Sequence, residues 1–358
     1  MDSDRGGELQ EFQERIRKAS ADQAALRIRG GGSKDWYGQA PQGDILDTRS
    51  YSGIVDYEPT ELVITARCGT PLAEIEAALA SERQMLAFEP PHFGPATVGG
   101  MVAAGLSGPR RQAAGALRDF VLGAVLMDGK GEILHFGGQV MKNVAGYDVS
   151  RLLAGSLGTL GLILEVSLKV LPLPVAQTTL RWEMNQEEAL ERMNAWGGQP
   201  LPLSATAWHD GILLARLSGA QAAVEAARRR MGGEEAPDGA ALWAALREQE
   251  HDFFRPGPDA ASLWRLALPT IAPPLDLPGA QLIEWGGGQR WLKTDADTAT
   301  IRAAAQAAGG HATLFAGGDK GVGVFHPLAP AVLGIHRNLK QAFDPAGIFN
   351  PGRMYPDF

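Results

Sequence analysis

The segment KNVAGYDVSRLLAGSLGTLGLILEVSLKVLP, residues 142–172, decides how the chain is read. Gly155, Gly158 and Gly161 recur at a spacing of three and lead straight into an apolar run. Glycine at such positions admits a neighbour or ligand that a Cβ would exclude. After Ile163, Leu162, Leu164, Val166, Leu168 and Val170 fall on one side and Glu165, Ser167 and Lys169 on the other. That period of two is the mark of a half-buried strand. Lys142 and Asp148, at the start of the segment, read either as site residues or as a plain surface ion pair.

Working outward, residues 121–127 (VLGAVLM) and 133–136 (ILHF) flank Asp128–Gly129–Lys130–Gly131, a hairpin signal. Residues 53–57 and 61–66 pair around Glu58–Pro59–Thr60. Thr70–Pro71 opens a helix, with the Thr70 hydroxyl as cap and Leu72, Ile75 and Leu79 on one face. Residues 8–19 form an earlier helix carrying Leu9, Phe12 and Ile16, and Leu26 and Ile28 begin a strand. On the other side, Pro172 and Pro174 in LPLPV cannot donate to a sheet, which places a domain boundary at about 175. Beyond it, strands at 178–182, 211–217, 263–268, 281–285 and 311–316 alternate with helices at 186–196, 220–231, 240–250 and 294–308. This predicts an α/β unit with its helices on one face of a sheet. Residues 330–343 form a last helix, and 344–358 a turn-rich tail.

Two further glycine-dense stretches precede the first. Arg29–Gly30–Gly31–Gly32–Ser33–Lys34 follows a strand, and three glycines can turn successive amides into one concavity suited to a diphosphate. It is neither a Rossmann fingerprint, because the last glycine required falls on Asp35, nor a Walker loop. A simple turn fits it equally well. The second stretch runs from Glu89 through Pro91 and Thr97–Val98–Gly99–Gly100 to Gly105–Leu106–Ser107–Gly108. Its small residues suit either close helix packing or contact with a flat ligand.

The net charge of −8 disfavours nonspecific nucleic-acid or anionic-lipid binding. One cysteine, Cys68, rules out an intrachain disulfide and any cluster held by several thiolates, so iron–sulfur chemistry would come from a partner. The charged start MDSDRGGELQEF lacks the apolar core of a signal peptide, and the expected location is cytoplasmic, with membrane contact only indirect.

Read together and in order, the RGGGS loop, the ATVGG segment and residues 142–172 resemble the vanillyl-alcohol oxidase/para-cresol methylhydroxylase flavoprotein family. The tail FDPAGIFNPGR resembles that family's return to the flavin domain. EPTELVITARCGTPLAEIEAAL, EPPHFGPATVGGMVAAGLSGPRR and GGQVMKNVAGYDVSRLLAGS further resemble the FAD-binding subunits of bacterial glycolate oxidases (glycolate dehydrogenases), as do WGGGQRWLKT and GGHATLF. The resemblance implies an α+β chain. Residues 1–175 would be a two-subdomain FAD-binding domain, 176–329 an α/β cap, and 330–358 a helix and tail packing back on the first part. It implies FAD, with residues 29–33 and 97–100 holding the pyrophosphate through backbone amides and Ser107 and Gly108 nearby. Gly158, Gly161 and Ile163 would approach the adenosine half, and Asn350 the isoalloxazine. Lys34, Pro91, Gly105, Leu106, Lys142 and Asp148 complete the expected binding set. Ser33 stands where many relatives attach flavin to histidine, so noncovalent FAD is expected, with His92 the remaining attachment candidate.

Oxidising a small 2-hydroxy acid needs a hydride acceptor, a base and a cation for the carboxylate. The histidines, at 92, 135, 209, 251, 311, 326 and 336, show no metal-ligand spacing, so no metal site is expected. Arg110, Arg111 and Lys320 are carboxylate clamps or, more simply, solvated cations. The implied arrangement is a heteromeric oxidoreductase: a sister FAD-containing subunit oxidises glycolate, and this chain relays electrons toward an iron–sulfur subunit. A self-sufficient hydroxy-acid or alcohol oxidoreductase and a scaffold with a vestigial flavin site are the alternatives. The sequence names no catalytic base.

Overall fold

Leu162–Lys169 is the middle strand of a five-stranded antiparallel sheet. The order is Ile54–Glu58, Val63–Arg67, Leu162–Lys169, Val121–Met127 and Ile133–Gly137. The computed structural model describes residues 2–138, 148–255, 261–356 and 358. The middle strand is not half-buried, as its alternation predicts, but covered on both faces. Val125 pairs with Glu165 and Leu126 with Ile163, so Leu164 is the extra residue of a bulge. One extra residue reverses which face the following side chains meet. Leu162 and Leu164 pack with Phe12 and Ile16 of the helix Asp2–Asp22. Val166 and Leu168 pack with Leu72, Ile75 and Leu79 of the helix Leu72–Ser81 and with Val98 and Met101. A single strand thus feeds two cores, one on each side of the sheet.

The first core also holds Leu26–Arg29, which pairs in parallel with Asp44–Asp47 and, through Leu26, with Phe349 of the tail. The second holds the short helix Val98–Ala104, whose N-cap Thr97 accepts from the Gly100 amide at 3.4 Å and whose last turn closes on left-handed Gly105. Thr70 is not the cap that the sequence suggests. Its hydroxyl exchanges hydrogen bonds with the backbone of Gly53, at 2.9 and 3.1 Å, and the helix begins after Pro71.

Residues 176–316 build an eight-stranded antiparallel sheet. The helices Gln186–Gly197, Gln221–Met231 and Thr298–Ala307 cover one face. The fourth helix, Gly239–Arg247, departs from the expected single-faced arrangement. It lies on the opposite face, where the Trp243 indole donates to Thr179 Oγ1 at 2.9 Å. Besides the two-residue edge strand Glu234–Glu235, two strands escape the sequence reading, Leu203–His209 and Gln289–Thr294. The second opens on buried Gln289 and Arg290, and the Arg290 guanidinium donates to the carbonyls of Ala272, Pro273 and Gly287. Polar residues inside a strand erase the apolar alternation by which strands are found. The helix expected at 294 therefore starts at Thr298, with Asp297 as its cap. No helix of the described residues is long and apolar enough to cross a membrane.

Candidate functional site

Residues 29–35 leave their strand and meet the start of the helix Val98–Ala104. Together with Pro41, Ala103, Ala104, Leu157, Asn350 and Arg353 they surround a hollow of about 90 Å³. Stretches from four distant parts of the sequence therefore meet at one place. The glycines are required by proximity. A Cβ on Gly31 would stand 1.5 Å from the Pro95 carbonyl oxygen, and one on Gly30 would stand 2.2 Å from Thr97 Oγ1. The two loops touch backbone to backbone, but the second does not offer the amides expected of it: those of Val98 and Gly99 donate to the carbonyls of Thr70 and Cys68 at 2.9 and 2.8 Å, and that of Gly100 to Thr97 Oγ1 at 3.4 Å.

The lining is strongly positive. Arg27, Arg29, Lys34 and Arg353 face it, with Asp35 as the carboxylate among them. Asp35 pairs with Arg27 and, at 2.8 Å, with Arg29. Burial pushes the Lys34 ammonium down to about 8, opposed by Glu248, and Lys34 Nζ donates to the His92 carbonyl at 3.0 Å. Burial likewise pushes the Arg353 guanidinium down to about 10. Excess positive charge beside a glycine loop complements a diphosphate. Asn350 fixes the tail here. Its Oδ1 accepts from the Ile28 amide at 2.9 Å and its Nδ2 donates to the Leu157 carbonyl at 2.6 Å, while Gly158 leaves room for that amide group. Asn350 thus stands at the diphosphate-sized hollow, beside Gly158.

Pro91, Leu106, Ser107 and Gly108 line a second hollow, closed opposite them by Arg265, Glu284, Gln289, Trp291 and Phe315 of the larger sheet. Its space is about 20 Å³. Bound ligands of cofactor size occupy several hundred Å³, on the order of 300 or more, so a ring system enters only if lining side chains move. An aromatic wall backs the second hollow and ends on Trp36, next in sequence to Asp35 of the first: Trp36 meets Phe93 at 5.5 Å and Phe315 at 5.1 Å, and Phe315 meets Trp291 at 4.7 Å.

The other expected residues lie elsewhere. Val98 and Ile163 are in the apolar core, Gly99 packs on Cys68, Gly105 on Gly155, and Gly161 on Met127. Asp148 is exposed and pairs with Arg151 at 3.1 Å; Lys142 lies outside the described residues. The three candidate clamps are not solvated cations. Arg110 pairs with Glu89 at 3.3 Å, Arg111 stacks on Trp285 at 4.3 Å, and Lys320 donates to the carbonyls of Trp36 and Gly38. Sequence reasoning missed Asp35, Arg353, Arg265 and Glu284. The available signal was for Glu284 alone: a carboxylate two residues after Leu282, and so on the same inward face of its strand.

Gly31→Ala tests the first hollow. Its methyl would meet backbone, which cannot swing aside, so the purified variant is expected to keep its circular-dichroism spectrum and lose most of its bound flavin. Flavin-to-protein ratios unchanged from wild type would remove residues 29–34 from the site.

The FAD binding domain family matches residues 6–137, which carry the first two glycine stretches. Glycolate oxidase subunit GlcE of Escherichia coli (strain K12) is 52% identical over 346 residues, 96% of each chain. Glycolate oxidase subunit GlcD of Bacillus subtilis (strain 168) is 31% identical over 154 residues, 42% of this chain and 33% of that one. Among solved structures, alkyldihydroxyacetonephosphate synthase superposes with a TM-score of 0.64 at 15% identity, over 96% of this chain and 75% of its own, which is a likeness of fold. Since half of all residues are shared with one curated relative from end to end, and the FAD binding domain overlies the glycine cradle, the chain belongs to the GlcE family of glycolate oxidase subunits.

Proposed function

We propose that this chain is the FAD-carrying GlcE-type subunit of a heteromeric glycolate oxidase. In this reading it supports oxidation of glycolate to glyoxylate and passes electrons toward an iron–sulfur subunit. The observation that carries it is the convergence of residues 29–35, 97–104, 157 and 350–353 on one cationic hollow. FAD, when bound, supplies an electron carrier between the subunit that oxidises the 2-hydroxy acid and the iron–sulfur subunit. The amides of residues 30–33 and the Lys34 ammonium hold the diphosphate, with the helix Val98–Ala104 backing the loop. Asn350 and Arg353 hold the tail against that loop, with Arg353 donating to the Asp35 carbonyl at 2.9 Å. The aromatic wall excludes water from the adjoining space. FAD is held noncovalently, and the parts of the chain act as a flavin domain at 1–175, a cap at 176–329 and a returning segment at 330–358.

The base and the carboxylate clamp for glycolate belong, in this reading, to a sister flavin subunit. Support comes from Arg110, Arg111 and Lys320, each already engaged within the chain. The complex is cytoplasmic and meets the inner membrane only through its partners. Expression with and without the neighbouring subunits tests this. The chain alone is expected to be yellow and to give no glycolate-dependent reduction of an artificial acceptor, and the co-purified complex to give it. Turnover by the isolated chain would favour a self-sufficient oxidoreductase, and a colourless chain a scaffold.

A further inference from the structure

The turn at residues 284–288 inserts the end of the larger sheet against the second glycine stretch. The Trp285 indole donates to the Gly108 carbonyl at 3.0 Å, and Gly286 lies so close to Gln112 that a Cβ would stand 2.4 Å from its side chain. Glu284, immediately before that turn, is 3% exposed and lines the second hollow. Its Oε2 accepts from the Trp291 indole at 2.7 Å and from Gln289 Nε2 at 3.0 Å. Both donors are neutral, and among the described residues no cation forms an ion pair with Glu284 and no donor reaches Oε1. The charged groups facing it are Glu89, with its partners Arg110 and Arg216, and Arg247 and Arg265, which line the same hollow. A carboxyl buried without a cation changes its protonation when the charge beside it changes.

We propose that Glu284 is a proton-exchanging residue of this hollow, taking up a proton when negative charge arrives on the group held against residues 106–109 and releasing it when that charge leaves. This rests on the flavin reading above. Oxidation of a 2-hydroxy acid to the 2-oxo acid releases two electrons and two protons. The protons stay with the sister subunit that oxidises the substrate; electrons passed on to this chain's flavin would add negative charge beside Glu284, which would take a proton from solvent as an O–H bond and return it to solvent when the electrons move on to the iron–sulfur subunit. Geometry places the acid, and burial keeps it titratable in the working range: desolvation pushes its carboxyl up to about 7, with the Trp291 and Gln289 hydrogen bonds opposing and Glu89 adding to the rise. Below that pH the proton is already present and none is taken up; above it, uptake accompanies reduction.

Reduced-minus-oxidised infrared difference spectra of the flavin-loaded protein test this. A protonated-carboxyl C=O band is expected to appear on reduction at pH 8, to be weak at pH 6, and to be missing from Glu284→Gln. The amide of glutamine can still accept from Trp291, so a merely structural Glu284 would leave the difference spectrum of that variant unchanged. That outcome, or a band indifferent to pH, overturns the proposal. Should Glu284→Gln not fold, Trp291→Phe decides. Loss of a hydrogen bond to the carboxylate moves the pH midpoint of the band upward, and an unmoved midpoint overturns the assignment. A colourless protein brings down the flavin reading and this inference with it; a yellow protein without the band brings down this inference alone.

Discussion

Asp344→Ala is expected to cost about 3–5 kcal/mol of stability, the range for removing one partner of a buried ion pair, and to release bound flavin as well. Asp344 is 1% exposed. Its Oδ2 takes Lys340 Nζ at 2.7 Å and the Phe349 amide at 2.8 Å, and its Oδ1 takes the Ile348 amide at 3.1 Å. Lys340 Nζ also donates to the carbonyls of Thr159 and Phe349, both at 2.8 Å. Burial pulls the Lys340 ammonium below its ordinary range while Asp344 holds it up, so loss of the carboxylate leaves a charge with little to keep it. The alanine variant strands that ammonium and two amides together. The consequence reaches the site because the same tail pairs Phe349 with Leu26 and sets Asn350 between Ile28 and Leu157. Denaturant midpoints and flavin-to-protein ratios should fall together. A variant as stable as wild type would show that this staple adds nothing, and one that is destabilised but keeps its flavin would separate the tail from the cradle. Lys340→Met with Asp344→Leu should recover only part of the loss, because the amides of Ile348 and Phe349 stay unpaired.

What could be read from the sequence, and what could not, divides along physical lines. Residues 29–34 were legible because three adjacent glycines are costly in a folded chain unless the backbone must come close to something, and Gly31 does lie against Pro95. The tail was singled out through its resemblance, and what the fold shows of Asn350 is that it ties Ile28 to Leu157 beside the first hollow. The bulge at Leu164 was not legible. Strict alternation through residue 170 gives no hint that an extra residue turns the strand over, because that depends on the register of Val121–Met127 beside it. The second hollow was half legible. Residues 106–108 belong to a glycine stretch and were singled out, but Arg265, Glu284 and Phe315 reach it from strands that meet only in the folded sheet. Arg110 misled for the same reason: two adjacent arginines look solvated until Glu89 and Gln177 are placed beside the first.

Glu89 carries the other large expected effect. It stands at left-handed φ 49°, at the start of the second glycine stretch, and holds two arginines from different parts of the fold. Its carboxylate takes Arg216 Nη2 at 2.9 Å, Arg110 Nε at 3.3 Å and the Arg110 amide at 2.9 Å. Arg216 lies on the larger sheet, stacked at 5.2 Å on Trp243, and Arg110 reaches across to Gln177 at 3.3 Å. Both guanidiniums are nearly sealed from water, at 8% exposure for Arg110 and 3% for Arg216. Arginine does not shed its proton at any pH the fold survives, although burial first and the neighbouring Arg216 second pull Arg110 below its ordinary range. Glu89→Ala therefore leaves two like charges buried side by side with nothing between them, and a loss of about 3–5 kcal/mol is expected. Glu89→Gln should cost less, since its carbonyl still accepts from one of them. The informative variant is the double one. Removing a stranded charge relieves the penalty that stranding created, so Glu89→Ala with Arg216→Met is expected to be more stable than Glu89→Ala alone, a sign of coupling that independent sites do not give. If the second substitution only adds to the first, the arginines are not held by Glu89, and the joint between the second glycine stretch and the larger sheet rests instead on Trp285 and Gly108.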